Sequence, residues 1–418
     1  MNPISVISKK TAWILLLIVC ITGLSGAVTA VTIFSDEQMN VTYSLAQYTD
    51  IFVIEEAYNG GFLIGGHAYS PDTDRHAFLM KTDPYGEEIW SQMYKGKRIV
   101  AINELDDGRI LVASVNDWVH PESPTAAITG TGYLILTDQL GNIIWCEESA
   151  GNAPAAIIVQ NDDILLAGWK WAPVDDPEGI SGFLEHYTFD GEFMNSILYE
   201  GVSIHDIRKT DDGGYLIIGN TGNPIETPYV RYGHMTKIDS SGEVTWRKTF
   251  DERSLFAMSA MNDGYLIVGG THPYGYSEGE AWALGVSQDG ELIWEEKLQG
   301  YAAYGVAPYG EHYIVAGVTG PGNPLIALIG TDGTTIDSKR LLDAEGRFTA
   351  VKVLTDNRVA VGGWSRHTGE VEGWFLTFDP YAEPVEQQPI QSPGFGIIIA
   401  AAFGTVAAAT LIHKRKRD

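Results

Sequence analysis

The 418-residue chain has two cysteines, Cys20 inside an apolar run and Cys146 alone in the body. Once the leader is removed no internal disulfide can form, so stability must come from packing. A lone thiol of this kind reads first as a small buried hydrophobe rather than a nucleophile. Basic residues are also scarce, with Lys and Arg totalling 27 against 54 Asp and Glu. Lys9 and Lys10 precede the first apolar run, and Lys414, Arg415, Lys416 and Arg417 follow the last. The middle of the chain is therefore more one-sided still. A field of that sign repels phosphate backbones and argues against a nucleic-acid partner. Heptad patterns are absent. So are H-E-x-x-H, G-x-S-x-G, a Walker loop and a complete G-x-G-x-x-G. No cofactor or metal is expected, and no catalytic residue is nominated. Asp72, Asp74 and His76 lie close together but lack the remaining oxygen ligands of a calcium loop.

What the chain does have is a processed-looking start and end. Two lysines, an apolar core and small residues before Ala27 or Ala30 form a signal-peptide pattern over 1–30. An uncleaved anchor helix is the alternative. Phe395 to Ile412 carry no charge and, as a helix, would span about 27 Å, close to the hydrocarbon thickness of a bilayer. The basic cluster at 414–418 would then stay cytoplasmic, leaving the body outside. Residues 381–393, YAEPVEQQPIQSP, read as an extended stalk to this 394–413 membrane segment.

Pro393, Gly394 and Phe395, followed by an apolar span and terminal basic residues, resemble the PGF-type sorting signal of archaeal surface proteins. That resemblance implies an archaeosortase-like partner that removes the tail and leaves a lipid in its place. A plain single-span anchor is the alternative. Either way the expected location is the cell surface.

Between the two ends a motif recurs. Examples are NGGFLIGG (59–66), DGGYLIIGN (212–220), NDGYLIVGG (262–270) and DNRVAVGG (356–363). Seven copies follow one another, with Gly65, Ala113, Ala167, Gly219, Gly269, Ala316 and Gly362 taken as equivalent. A repeat of roughly 50 residues signals a propeller, solenoid or array. After each copy comes a hairpin with an Asp-x-x-Gly or Asp-Gly turn, as in GYLILTDQLGNIIWCEE (132–148). A further apolar run precedes each copy, giving four strands per repeat, the make-up of a propeller blade. The strands are nearly continuous apolar runs, as expected when both faces are covered. The seventh copy lacks its last strand, and MNVTYSL (39–45) is a spare. We expect an all-β, seven-bladed propeller over 31–380, closed by this N-terminal strand.

The pattern DGGY-L-I-x-G, then K-x-D-x-x-G-x-x-x-W, resembles the repeat of archaeal and bacterial extracellular β-propellers. Its turn differs in spacing from the quinoprotein tryptophan-docking motif and from the sialidase Asp-box, so neither activity carries over. Trp90, Trp145, Trp246 and Trp294 fall in register after the turn and are assigned to packing between blades. The variable segments between second and third strands would share one face of the ring, where function usually lies. Trp118, Trp169, Trp171, Tyr274, Tyr276 and Trp364 in these segments are the ligand-binding candidates, suited to stacking on sugars. Asn40, in Asn40-Val41-Thr42, is a glycosylation candidate. The sequence therefore points to non-catalytic recognition of a glycan, envelope polymer or protein. A polysaccharide lyase or hydrolase, or a structural envelope protein, is the alternative.

Overall fold

The computed structural model describes residues 37–380, apart from 72–73, 117–130, 150–152, 161–162, 172–179, 222–231, 272–278, 321, 342–343 and 367–369. The expected leader, stalk and apolar membrane segment, with the Pro393-Gly394-Phe395 motif, lie outside the described residues.

Seven antiparallel four-stranded sheets make up the described body. Blades 1 to 6 occupy 48–94, 98–149, 153–200, 206–250, 254–298 and 302–340. In each, strand order follows chain order from the channel outward. Blade 7 takes three strands from 345–378 and its outer strand from Glu37–Tyr43. That closing strand pairs antiparallel with Glu372–Phe378, Val41 opposite Phe375 and Tyr43 opposite Gly373. The ring therefore closes with the beginning of the chain, two residues ahead of the expected 39–45. Burial of Met39 and Tyr43 with Ile51, Phe62, Ala360 and Phe375 joins blades 7 and 1 in one apolar cluster.

The repeated glycines follow from close backbone approach. A Cβ at Gly66 would run into the carbonyl oxygen of Asp50, and one at Gly363 into that of Arg347. The structural equivalents of Gly66 are Ser114, Gly168, Gly219, Gly269, Gly317 and Gly363. Gly219 and Gly269 thus sit one position later than the motif alignment puts them, facing the crowded carbonyl rather than matching Gly65.

The Asp-x-x-Gly hairpins have a local cause as well. The carboxylate of Asp138 accepts from the N–H groups of Leu140 and Asn142, both at 2.9 Å. Gly141 takes the left-handed backbone, φ 80°, that closes the turn. The blade tryptophans then reach across to the next blade's hairpin. The Trp145 indole lies against Gly191 and donates to the Phe189 carbonyl at 3.0 Å. Trp294 lies against Gly333 and donates to Thr331 at 3.1 Å, while Trp90 and Trp246 cover Gly141 and Gly290. Blade 3 has no such tryptophan, and Ile197 covers Gly242 there instead. Tyrosines add a second tie: Tyr43, Tyr94 and Tyr199 donate to the carbonyls of Gly86, Gly141 and Gly242 at 2.8, 2.7 and 2.9 Å.

Candidate functional site

The innermost strands share one irregularity. In blades 1, 2, 3, 5, 6 and 7 their pairing with the second strand shifts register at a single residue: Phe52, Val100, Ala155, Phe256, Tyr304 and Thr349. In blade 4, His205 holds the same place just ahead of its strand, bonding through its N–H to the Ile218 carbonyl. A bulge bends the strand and re-aims one side chain. Phe52, Val100, Ala155, His205, Phe256 and Thr349 line a central channel with a volume of about 760 Å³, within the range of ligand pockets. The scaffold thus repeats while the ring of bulge residues does not.

Above this ring, toward the loop-bearing face, charge gathers in one sector. Two residues before the bulge stand Arg347 in blade 7, Asp50 in blade 1 and Arg98 in blade 2. The same place holds Ala153, Ser203, Ser254 and Ala302 in blades 3 to 6. Arg347 donates to Asp50 Oδ2 at 2.9 Å. The Asp50 side chain is 4% exposed and that of Arg347 32%, so a buried carboxylate is held by a partly exposed guanidinium. Burial raises the Asp50 carboxyl above its usual range, opposed by Arg347, Arg98 and Arg75. His67, directly across the sheet from Asp50, is pushed down to about 3 by burial and by the same three arginines. Its imidazole is therefore neutral at physiological pH.

Aromatic rings complete the mouth. Arg98 sits 5.0 Å and Arg347 5.8 Å from the Phe52 ring centre, a cation–π arrangement. Arg347 is also 5.8 Å from the Tyr304 ring, and Tyr304 lies 5.5 Å from Phe256. His205 stacks on Phe256 at 6.0 Å. Toward the other end of the channel, Lys352 pairs with Glu55.

Of the sequence-nominated aromatics, Trp169 and Trp364 occupy the cross-strand place that His67 holds in blade 1. Trp169 is opposite Ala153, and Trp364 is opposite Arg347. Both are half-buried, and Arg366 lies 5.8 Å from the Trp364 ring. Trp118, Tyr274 and Tyr276 lie outside the described residues, as does the Trp171 side chain. Asn40 is exposed on the closing strand, and its Oδ1 accepts from Trp374 Nε1 at 2.8 Å. Among the described residues no group of three or more His, Cys, Asp and Glu gathers as a metal site would. Cys146 is half-buried, and burial raises its thiol, which makes it a poor nucleophile.

Sequence reasoning missed Asp50, Phe52, Arg98, Tyr304 and Arg347. The available signal was charge at the head of innermost strands, in YTDIFVI and RFTAVKV, where an apolar core run would carry none. One further buried group stands apart from the mouth. His234 Nε2 is 2.8 Å from the Ser203 carbonyl and Nδ1 3.1 Å from Thr236 Oγ1. Nε2 donates to the carbonyl and the Thr236 hydroxyl donates to Nδ1. Burial pushes this imidazole down to about 4.

No family model matches the sequence, and no curated protein matches it. Solved structures do. The WD40 β-propeller domain of Doa1 superposes with a TM-score of 0.52 at 10% identity, covering 82% of this chain and 97% of that one. The Dos1 propeller superposes with a TM-score of 0.50 at 11% identity, covering 81% and 94%. At such identities the likeness concerns fold alone, and the fold is a seven-bladed β-propeller of four-stranded blades.

Proposed function

We propose that this chain is a non-catalytic recognition module, held at the outer cell surface by its C-terminal segment. It binds a glycan, an envelope polymer or a protein through the loop-bearing face of the ring. One observation carries the reading: the scaffold repeats blade by blade, while the bulge ring changes from aromatic to small residues around the channel and charge in the layer above it is confined to blades 7, 1 and 2. Residues that serve only the scaffold would repeat with it. The Doa1 neighbour is a WD40 propeller domain and lends the scaffold only.

The signal-peptide pattern at 1–30 and the apolar 394–413 segment support display outside the membrane. The Pro393-Gly394-Phe395 motif supports processing by an archaeosortase-like enzyme. A protease added to intact cells is expected to remove the propeller, and a glycan and protein array probed with the full chain is expected to return a ligand. Protection of the propeller in intact cells would overturn the display, and an array without any hit would overturn the recognition. A second reading, an extracellular polysaccharide lyase or hydrolase, draws on the adjacency of Asp50 and His67 beside Arg347.

A further inference from the structure

Three buried polar atoms meet at the mouth without a hydrogen-bond partner among the described residues: Asp50 Oδ1, His67 Nδ1 and Arg347 Nε. Buried polar atoms are rarely left so, and each costs free energy while it stays unmatched. The Asp50 residue is 3% exposed and is tied to Arg347 through its other oxygen. His67 and Arg347 both lie against Phe52, their ring and guanidinium centres 5.4 and 5.8 Å from its ring centre. Asp50 bonds Arg347 and stands opposite His67 across the sheet, so the three side chains are neighbours, and they belong to blades 1 and 7, which the closing strand brings side by side.

The kinds of atom narrow the ligand. Arg347 Nε is a donor, and a guanidinium matches a carboxylate in shape and charge. Asp50 Oδ1 is an acceptor, and so is His67 Nδ1 in the tautomer protonated at Nε2. An anion that brings only acceptors would satisfy Arg347 and oppose Asp50. A neutral sugar would supply hydroxyl donors to Asp50 and His67, and to Arg347 Nε only a hydroxyl oxygen, a weaker match for a guanidinium than a carboxylate. A sugar acid supplies both, a carboxylate at one end and hydroxyl donors along the ring. Its C–H face matches the aromatic surfaces of Phe52 and Tyr304.

We infer that this mouth is a subsite for a hexuronate unit of an acidic glycan. Arg347 holds the carboxylate, Asp50 and His67 take ring hydroxyls, and Phe52 and Tyr304 bear on the ring. The inference deepens the recognition reading and rests on it. In a chain of net charge −27, the arginine sector is also where a polyanion can approach.

The test is calorimetric titration of the full chain with trigalacturonate and trimannuronate, against maltotriose and a triglutamate peptide. At least one uronate is expected to bind ten-fold or more tighter than maltotriose and triglutamate. Arg347→Gln should weaken that binding ten-fold or more, and Arg347→Lys by less, since it keeps the charge and loses the fork. Arg109→Gln, in a turn on the opposite face, should leave it unchanged. Near-ultraviolet circular dichroism confirms that each variant is folded. Should Arg347→Gln not fold, Asp50→Asn is expected to give the same loss.

Uronate binding no tighter than maltotriose or triglutamate overturns the inference, and so does full affinity in a folded Arg347→Gln variant. Preference for maltotriose or triglutamate would do so while leaving the recognition reading standing. Uronate binding accompanied by release of an unsaturated, ultraviolet-absorbing product would uphold the uronate site and overturn the non-catalytic reading.

Discussion

Gly66→Ala sets two physical effects against each other. Gly66 has no left-handed backbone angle, so alanine fits its conformation. Lowering the entropy of the unfolded chain would then stabilise the protein by about 0.4–1 kcal/mol. Against that, the new methyl would meet the Asp50 carbonyl oxygen and crowd the Phe78 ring. Overpacking of this kind costs about 1–3 kcal/mol. The steric effect wins on these magnitudes, and a net loss of roughly 0.5–2 kcal/mol is expected from the same two principles. Two comparisons separate the causes. Gly213 has open space around it but φ 83°, so Gly213→Ala should cost about 1–2 kcal/mol through backbone strain alone. Ser114 holds the Gly66 place in blade 2, and its hydroxyl donates to the Lys95 carbonyl at 2.6 Å. There the strands have room for a side chain, and Ser114→Gly should destabilise. Urea unfolding followed by tryptophan fluorescence gives all three values. A Gly66→Ala protein more stable than the wild type would refute the close-approach account of the repeat.

The tyrosine ties predict parallel losses: Tyr43→Phe and Tyr94→Phe each remove one buried hydrogen bond between blades and should cost about 0.5–1.5 kcal/mol in urea titrations. A neutral Tyr43→Phe beside a costly Tyr94→Phe would show that blade 7 does not dock on blade 1. His234 makes stability depend on pH. Its folded value lies near 4, below the usual unfolded value of about 6.5, so the unfolded state takes up the proton first as pH falls. The contribution is constant above the unfolded value and is lost between it and the folded one, reaching about 2 kcal/mol at roughly pH 5. His234→Asn should therefore lose about that much less than wild type on acidification. An identical loss in both proteins would contradict the assignment.

Much of the ring was legible because its causes are local. An aspartate capping a turn, a left-handed glycine and a continuous apolar strand each leave a fixed mark in the chain. Repetition multiplied those marks until seven blades and a spare strand could be recognised. The one-residue misplacement of Gly219 and Gly269 has a definite reason. What selects glycine is a carbonyl two residues ahead of a bulge on the neighbouring strand, and that neighbour is invisible in a motif alignment. The mouth was harder for the same reason. Arg347 and Asp50 stand 297 positions apart and meet only when the ring closes. Trp169 and Trp364 read in the sequence as loop aromatics, yet each sits on a second strand at a place fixed by cross-strand register.

Every reading of the mouth depends on blades 7 and 1 being neighbours, and the closing strand makes them so. Hydrogen exchange of the full chain measures this directly at the amides of residues 39–43. The account predicts protection comparable to that of the partner strand Glu372–Phe378. Exchange in residues 39–43 at the rate of an unstructured segment, with 372–378 protected, would contradict the closed ring and the site built on it.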